Sequence, residues 1–243
     1  MSLLTLLGTG TCQIEYERRA SSVLLTLNHT FILFDCGHGV VQRLLESGVR
    51  HDQVQHIVLS HFHPDHVSDL VPFLQAGAWS QRDRRHTDVH IYGPAGVREI
   101  VDGLMKIFQP ASFQQDDYRV VVHELAAGPV TIAGLPFESV SLPPAGNHGL
   151  RFNWNGRTYA LTGDSYFHGE EIAFLRGVDL AVIDSGHIRD EEIVELAVQS
   201  QARHIVCSHL YRAIDAESLQ QRASERGYTG TLLVGYDLMS FPL

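Results

Sequence analysis

One stretch constrains this chain more than any other: Ser60-His61-Phe62-His63-Pro64-Asp65-His66, placed directly after the apolar run 56–59. It puts three imidazoles and a carboxylate at the end of a buried strand. A solvated loop opening a helix needs only one capping side chain, such as Asp65, so the histidines read as metal ligands. His61 and His63 alternate like strand residues and are expected to point the same way. Pro64 is expected to break the backbone, turning Asp65 and His66 toward a second point in space. One metal takes three or four ligands, so this loop cannot complete two sites alone. Further ligands must come from later strand ends. Three places fit: His148 after Pro143-Pro144-Ala145-Gly146-Asn147, Asp164 after the strand 158–162, and His209 after the strand 204–207.

The rest of the chain supplies the frame. Residues 3–7 read as a buried strand, 13–19 as a polar loop, and 22–27 with 31–34 as a hairpin turning at Asn28-His29. Helical spacing predicts helices over 38–46, stopping at Gly48, then over 67–79 and 95–108, with a strand at 89–92 between the last two. Between 118 and 159 short β runs alternate with Gly128-Pro129, Pro136, Pro143-Pro144 and Asn155-Gly156, a mostly antiparallel region. The last third alternates strands (158–162, 180–183, 204–207, 231–234) with helices (169–176, 190–199, 216–226). With no internal repeat and no linker, the economical architecture is α/β: two mixed sheets flanked by helices, in one domain over 1–243.

Composition narrows the function classes. The 243 residues are 44% apolar and 19% charged, a globular balance. No apolar run approaches the roughly 20 residues that span a bilayer, and no signal-peptide pattern opens the chain, so the expectation is a cytoplasmic protein without a membrane partner. Cys12, Cys36 and Cys207 are odd in number and widely spaced, which argues against a disulfide framework. A net charge of −10, with Lys106 the only lysine, works against non-specific nucleic-acid binding.

The chain resembles the metallo-β-lactamase superfamily, whose signature is HxHxDH followed by a distant His, Asp and His. The likeness runs over essentially the whole length, including the opening Leu7-Gly8-Thr9-Gly10-Thr11 and the Phe34-Asp35-Cys36-Gly37 turn. It implies an αββα sandwich. It also implies that His61, His63 and His148 bind one metal and Asp65, His66 and His209 another, with Asp164 bridging. Imidazole and carboxylate donors suit two zinc ions best, with manganese or iron as alternatives. Such a pair lowers the pKa of water from about 16 toward 7, so hydrolysis by metal-bound hydroxide is the expected reaction, with Asp65 and Asp164 in the catalytic set.

A leaving group still needs a proton. His187, in Asp184-Ser185-Gly186-His187, follows another strand end, and the sequence looks closest here to bacterial cyclic-phosphate phosphodiesterases that carry Asp-x-x-His in this place. Its role is either that of general acid or that of a surface histidine before a helix. Asp35 is expected to accept hydrogen bonds from the ligand loop. His38 either lines the site or, as the favoured reading, sits at a solvated helix start; His168 is expected at another helix start and His204 within a strand. Arg18 and Arg19 either hold a substrate phosphate, with Arg19 the candidate, or belong to a solvated loop.

The expected function is therefore a phosphodiesterase acting on a small or cyclic phosphodiester, in a family whose members are often homodimers. Nucleic acid is a less favoured substrate. The ribonuclease Z type, a tRNA 3′-processing endonuclease, shares the opening motif. It carries a long arm between its third-motif histidine and bridging aspartate, for which His148 and Asp164 are too close, and His-Glu-Ala-Thr where this chain has Asp184-Ser185-Gly186-His187. An ester, thioester or lactone hydrolase and a non-enzymatic protein stabilised by metal are the remaining alternatives. The phosphonate-pathway relatives add a cysteine-rich zinc site near the N-terminus, which Cys12 alone cannot form.

Overall fold

The computed structural model describes residues 2–113 and 116–243. The chain clusters into two compact units, Met1–Ala126 with Asp237–Pro242, and Ala127–Tyr236 with Leu243. Each is built on one seven-stranded mixed sheet.

In the first unit the sheet is formed by β1 (Leu3–Gly8), β2 (Ser22–Leu27), β3 (Thr30–Phe34), β4 (His56–Val58), β5 (Val89–Gly93), β6 (Val120–Glu124) and β14 (Ser240–Pro242), in the order β14-β1-β2-β3-β4-β5-β6. Pairing is antiparallel from β14 to β3 and parallel from β3 to β6. The second unit holds β7 (Gly128–Ile132), β8 (Leu135–Leu142), β9 (Asn147–Trp154), β10 (Arg157–Leu161), β11 (Leu180–Asp184), β12 (His204–Ser208) and β13 (Thr231–Val234), in the order β13-β12-β11-β10-β9-β8-β7. There the strands from β13 to β10 are parallel and those from β10 to β7 antiparallel.

Parallel neighbours require crossovers, and the helices supply them. α1 (Val40–Glu46) joins β3 to β4, α2 (Pro64–Val67) with α3 (Leu70–Trp79) joins β4 to β5, and α4 (Val97–Ile107) joins β5 to β6. In the second unit α5 (Gly169–Leu175), α6 (Asp190–Ser200) and α7 (Ala216–Glu225) do the same from β10 to β13. Each unit buries its own core between sheet and helices. In the first, Leu33, Ile57 and Ile91 pack with Val40, Leu44, Phe73 and Val101. In the second, Ile183, Ile205 and Leu232 pack with Leu175, Ile193, Leu196 and Leu219. The opposite strand faces are buried too, at Ile32, Phe34, Val58, Val182 and Val206. Strands buried on both faces read as continuous apolar runs, and the parallel strands do so here.

Three local expectations are corrected. Pro64 does not break the backbone: it opens α2 as its first residue, with His63 at the N-cap, where a missing N–H is harmless. The single helix expected over 67–79 is divided between α2 and α3. At the junction Asp69 N–H donates to the Cys36 carbonyl (2.9 Å), and the Asp69 carboxylate accepts Val41 N–H (3.0 Å). Finally, β6 pairs parallel with β5 and so belongs to the first sheet, outside the antiparallel region expected from residue 118 onward. No helix among the described residues is long and apolar enough to cross a membrane.

The mixed topology fixes where chemistry can gather. Open sheets bind ligands beyond the carboxyl ends of their parallel strands. Asp35 and Ser60–His66 follow β3 and β4. Asp164, Asp184, His187 and His209 end or follow β10, β11 and β12. His148 joins the latter group because β9 runs antiparallel to β10, so its first residues lie beside the end of β10. The Asn147 side-chain amide donates to the Thr162 carbonyl there (3.0 Å).

Candidate functional site

In the first unit the ligand loop rests on Asp35. This residue follows β3 with φ 64°, a left-handed conformation that costs a non-glycine residue about 1 kcal/mol or more unless its surroundings hold it. They do. Its backbone N–H donates to the Val58 carbonyl (2.8 Å), one carboxylate oxygen accepts Ser60 N–H (2.7 Å), and the other accepts the Ser60 hydroxyl (2.8 Å) and pairs with His66 Nδ1 (2.9 Å). Ser60 Oγ also lies 3.0 Å from His61 Nδ1. The His61 ring sits 4.2 Å from that of His66 and 4.5 Å, edge-on, from that of His63. His61, Asp65 and His66 are buried while His63 is exposed; β4 ends at Val58, so His61 and His63 bring their rings together from the loop beyond the strand rather than from the strand itself. Gly37 is required at its position because a Cβ there would overlap the Asp65 carbonyl.

In the second unit the same functions are spread over four strands. Asp184, the last residue of β11, accepts Gly186 N–H (2.7 Å) and His187 N–H (3.2 Å) on one oxygen, and pairs with His187 Nδ1 (2.7 Å) on the other. His209 follows β12 with φ 54°. Its Nδ1 is 3.4 Å from Asp184 and its Nε2 is 3.3 Å from Asp164. The His187 and His209 rings stack at 5.1 Å, and Tyr211 meets His187 edge-on at 5.6 Å. A Cβ at Gly186 would overlap the His209 carbonyl. The Arg212 guanidinium holds this turn by donating to the carbonyls of Ser185 (2.9 Å) and Ile188 (3.0 Å). The hydrogen bond to Asp184 raises the pKa of His187 above the ordinary imidazole range, with burial opposing it. His148, half-buried in β9, pairs through Nδ1 with Ser139 Oγ (2.8 Å), and burial lowers its pKa.

This donor set fits a divalent metal. Asp164, Asp184, His187 and His209 each offer one ligand atom within 4.8 Å of the others; His148 stands outside that group. In His61, His66 and His148, Nδ1 faces a hydroxyl or carboxylate. That pairing fixes the ring orientation and makes Nε2 the nitrogen that could coordinate a metal, as around metal-ligating imidazoles.

Comparison with known proteins agrees. The sequence profile described as the beta-lactamase superfamily domain matches residues 30–221, most of the chain. The chain belongs to this superfamily.

Membership in the beta-lactamase superfamily implies a divalent-metal centre, and the two mixed sheets flanked by helices are its fold. Ribonuclease Z of Streptococcus suis is 38% identical over 122 residues, 49% of this chain and 38% of that protein; the chain thus spans about two fifths of the length of the curated relatives it matches. Among solved structures, the metallo-beta-lactamase fold protein YhfI of Bacillus subtilis superposes with a TM-score of 0.80 at 19% identity, covering 99% of this chain and 98% of that one. A diphosphatase of the PhnP family superposes with 0.73 at 18% identity, covering 100% and 98%. These two likenesses concern the fold.

Within this superfamily chain, several supporting residues escaped the sequence. Ser60 adjoins the motif and could have been suspected, and Asp184 was visible in Asp-x-x-His. Ser139 lies nine residues from His148 and meets it only through the β8–β9 pairing, so no local signal announces it. Arg19 donates from its guanidinium to the carbonyls of Glu15 (3.0 Å) and Tyr16 (3.2 Å) within the 13–19 loop, and Arg18 to Thr9 Oγ1 (2.5 Å), just after β1, giving both structural partners. His38 is not the solvated helix start expected, since its Nε2 is buried without a hydrogen-bond partner. His168 caps α5 by accepting Glu171 N–H, and His204 opens β12.

Proposed function

We propose that this chain is a metal-dependent phosphodiesterase acting on a small or cyclic phosphodiester, with residues 1–243 working as one hydrolase domain. The observation that carries the reading is the Asp184–His187 pair, beside Asp164 and His209 at the parallel strand ends of the second unit. In this reading His61, His63 and His148 would hold one metal and Asp65, His66 and His209 the other, with Asp164 serving both and zinc as the expected ion. When bound, the two metals supply a water nucleophile deprotonated near neutral pH and offset charge on the phosphoryl oxygens.

The chain's own residues supply the rest. Asp184 accepts a hydrogen bond from His187 Nδ1–H and so favours the protonated ring. The Nε2 proton then passes to the leaving-group oxygen as the P–O bond breaks, while Nδ1–H stays with Asp184. Asp35 and Ser60 keep His66 and His61 in their ligating orientation. A serine or cysteine nucleophile has no part, and Cys36 and Cys207 suit this, being fully buried thiols whose pKa values burial raises, that of Cys207 to about 12.

A second reading, ribonuclease Z-like cleavage of tRNA precursors, is favoured by the identity with the streptococcal enzyme over half of this chain. One experiment addresses both: hydrolysis of bis(p-nitrophenyl) phosphate, 2′,3′-cyclic nucleotides and a tRNA precursor by metal-analysed protein, with and without added zinc or manganese. Turnover of the small diesters tracking two metals per chain supports the first reading. Turnover of the precursor alone replaces it with the second. Metal binding without turnover of any phosphodiester moves the assignment to carboxylic esters, thioesters or lactones.

A further inference from the structure

A further cluster of imidazoles stands on one face of the first sheet, with no part in the chemistry at the strand ends. Register sets His56 directly opposite His90 on β4 and β5, and Tyr92 directly opposite His123 on β5 and β6. Side chains two residues apart share a face of a strand, so the four rings stand on the same side. On that face β3 carries Ile32 opposite His56 and Phe34 opposite Val58, all three apolar residues being buried. The surface thus changes from hydrocarbon to imidazole over three successive strands, where apolar side chains would need no polar partner. His56 opens β4, whereas the ligand loop follows the other end of that strand.

The three imidazoles are partly buried and close together. His90 Nδ1 lies 3.0 Å from His123 Nε2, and the His56 ring centroid lies 5.3 Å from that of His90. Tyr92 stacks on His123 at 4.5 Å, and its hydroxyl is 3.5 Å from His56 Nδ1. Burial and the neighbouring imidazoles push the His56 pKa down to about 4, and burial, His90 and Arg98 lower that of His123. These two rings are therefore neutral at neutral pH, the form that binds metal. Two imidazole nitrogens as close as those of His90 and His123 are joined by one proton or by one ion. Zinc binds imidazole nitrogen at about 2.0–2.1 Å, which sets two tetrahedral ligands roughly 3.4 Å apart. The pair needs to open by only a few tenths of an ångström to admit it.

We propose that His90 and His123, with His56 as third ligand, form a separate site for one divalent transition-metal ion of the zinc or copper(II) type. His56 reaches the third position by turning its ring about χ2, a broad torsion in histidine, and water completes the coordination. An all-nitrogen donor set selects zinc and copper(II) over magnesium, which prefers oxygen. One ion held by β4, β5 and β6 ties three adjacent strands together, so the site is a stabilising one. The inference goes beyond the proposed phosphodiesterase reading and stands whichever substrate the strand-end site takes.

The test compares wild type with His90→Gln, His123→Gln and His56→Gln, and with His86→Gln, an exposed histidine outside the cluster. Each protein, replete with its strand-end metals, is dialysed against zinc or magnesium and its metal counted per chain. Wild type and His86→Gln are expected to hold one zinc more than His90→Gln and His123→Gln, with no such difference in magnesium. His56→Gln weakens that equivalent by more than about tenfold, beyond the least effect of losing an outer partner. Zinc raises the denaturation midpoint of wild type by mass action but not that of His90→Gln, and every variant keeps wild-type turnover of bis(p-nitrophenyl) phosphate. His123→Phe keeps the stack on Tyr92 and serves as the comparison should the glutamine variants not fold. Zinc uptake by any of the three cluster variants equal to that of wild type, or an extra equivalent lost in His86→Gln as well, overturns the proposal.

Discussion

The two units solve one problem in different ways. In the first, a carboxylate, a serine and four candidate ligands come from one strand end and the residue after its neighbour, within the stretch 60–66 plus Asp35. In the second, the corresponding parts come from the ends of β9, β10, β11 and β12, the last three separated by whole helices. The local geometry is nonetheless alike. Each unit has a left-handed non-glycine residue directly after a strand (Asp35, His209), a buried aspartate at a histidine Nδ1 (Asp35 to His66, Asp184 to His187), and a glycine pressed against a neighbouring carbonyl (Gly37 on Asp65, Gly186 on His209). Strain of this kind persists only where surrounding bonds hold it. That it recurs at both sets of strand ends indicates that side-chain direction, not helix or strand stability, governs these positions.

The comparison breaks most readily at the glycines. Gly37→Ala must move the Asp65 carbonyl, which is backbone and is followed by His66, itself tied to Cys36 by a 2.8 Å hydrogen bond. The expected loss is about 3 kcal/mol or more, read as a lower denaturation midpoint, with metal lost from the folded fraction. Gly186→Ala meets the His209 carbonyl and should destabilise less, because the 185–188 turn is the more exposed of the two. Equal effects would mean the turn is as rigid as the ligand loop.

Replacing the aspartates separates binding from chemistry. Asp35→Ala removes acceptors from Ser60 N–H, Ser60 Oγ and His66 Nδ1 together, so metal affinity should fall about 10–100-fold and stability by about 3 kcal/mol. Asp184→Ala removes the acceptor of His187. It should leave metal bound but slow substrates with poor leaving groups about 100-fold, with little change for p-nitrophenolate release. Metal titration and paired rate measurements check both. Similar metal loss in the two variants would show that Asp184 supports ligands as strongly as Asp35 does.

The same contrast explains what could be read beforehand. The ligand loop was visible because its residues are contiguous and its pattern is improbable as a mere helix cap. Asp164 and His209 were singled out because each follows an apolar run, and strand ends are where ligands sit in such sheets, whereas His148 was singled out after the turn Pro143-Pro144-Ala145-Gly146-Asn147. The β1–β5 and β10–β13 segments stood out as apolar runs, whereas β7–β9 were expected only as short β runs in a mostly antiparallel region. What stayed hidden depends on pairing: Ser139 reaches His148 through sheet register, β6 changes sheet by joining β5, and β14 is three residues long and marked by no periodicity. The division of the expected 67–79 helix follows from two hydrogen bonds of Asp69 to partners about thirty residues earlier.

A last prediction sets the supported imidazoles against unsupported ones. On one face of the first sheet, His56, His90 and His123 stack across β4, β5 and β6 with ring centroids 5.2–5.3 Å apart, and His90 Nδ1 lies 3.0 Å from His123 Nε2. Tyr92 stacks on His123 at 4.5 Å. Among the described residues no carboxylate hydrogen-bonds to the His56, His90 or His123 ring, in contrast to His66 and His187, and Asp88 reaches His90 only through its charge. Burial, then the charges of His90 and His123, push the His56 pKa down to about 4; burial, His90 and Arg98 lower that of His123. The folded state therefore binds fewer protons than the unfolded chain below the ordinary histidine pKa of about 6.5. Its stability should fall as pH drops from about 6.5 toward 4, and should be indifferent to these groups above that window. After discounting for solvent that reaches part of the ring, the effect of His56 at pH 5 is on the order of 1 kcal/mol. Urea midpoints at pH 7.5 and pH 5 should therefore differ less in His56→Gln than in the wild type. An unchanged difference would mean that the stack already shares a proton in the folded state, and that lack of a carboxylate does not make these imidazoles acid-sensitive.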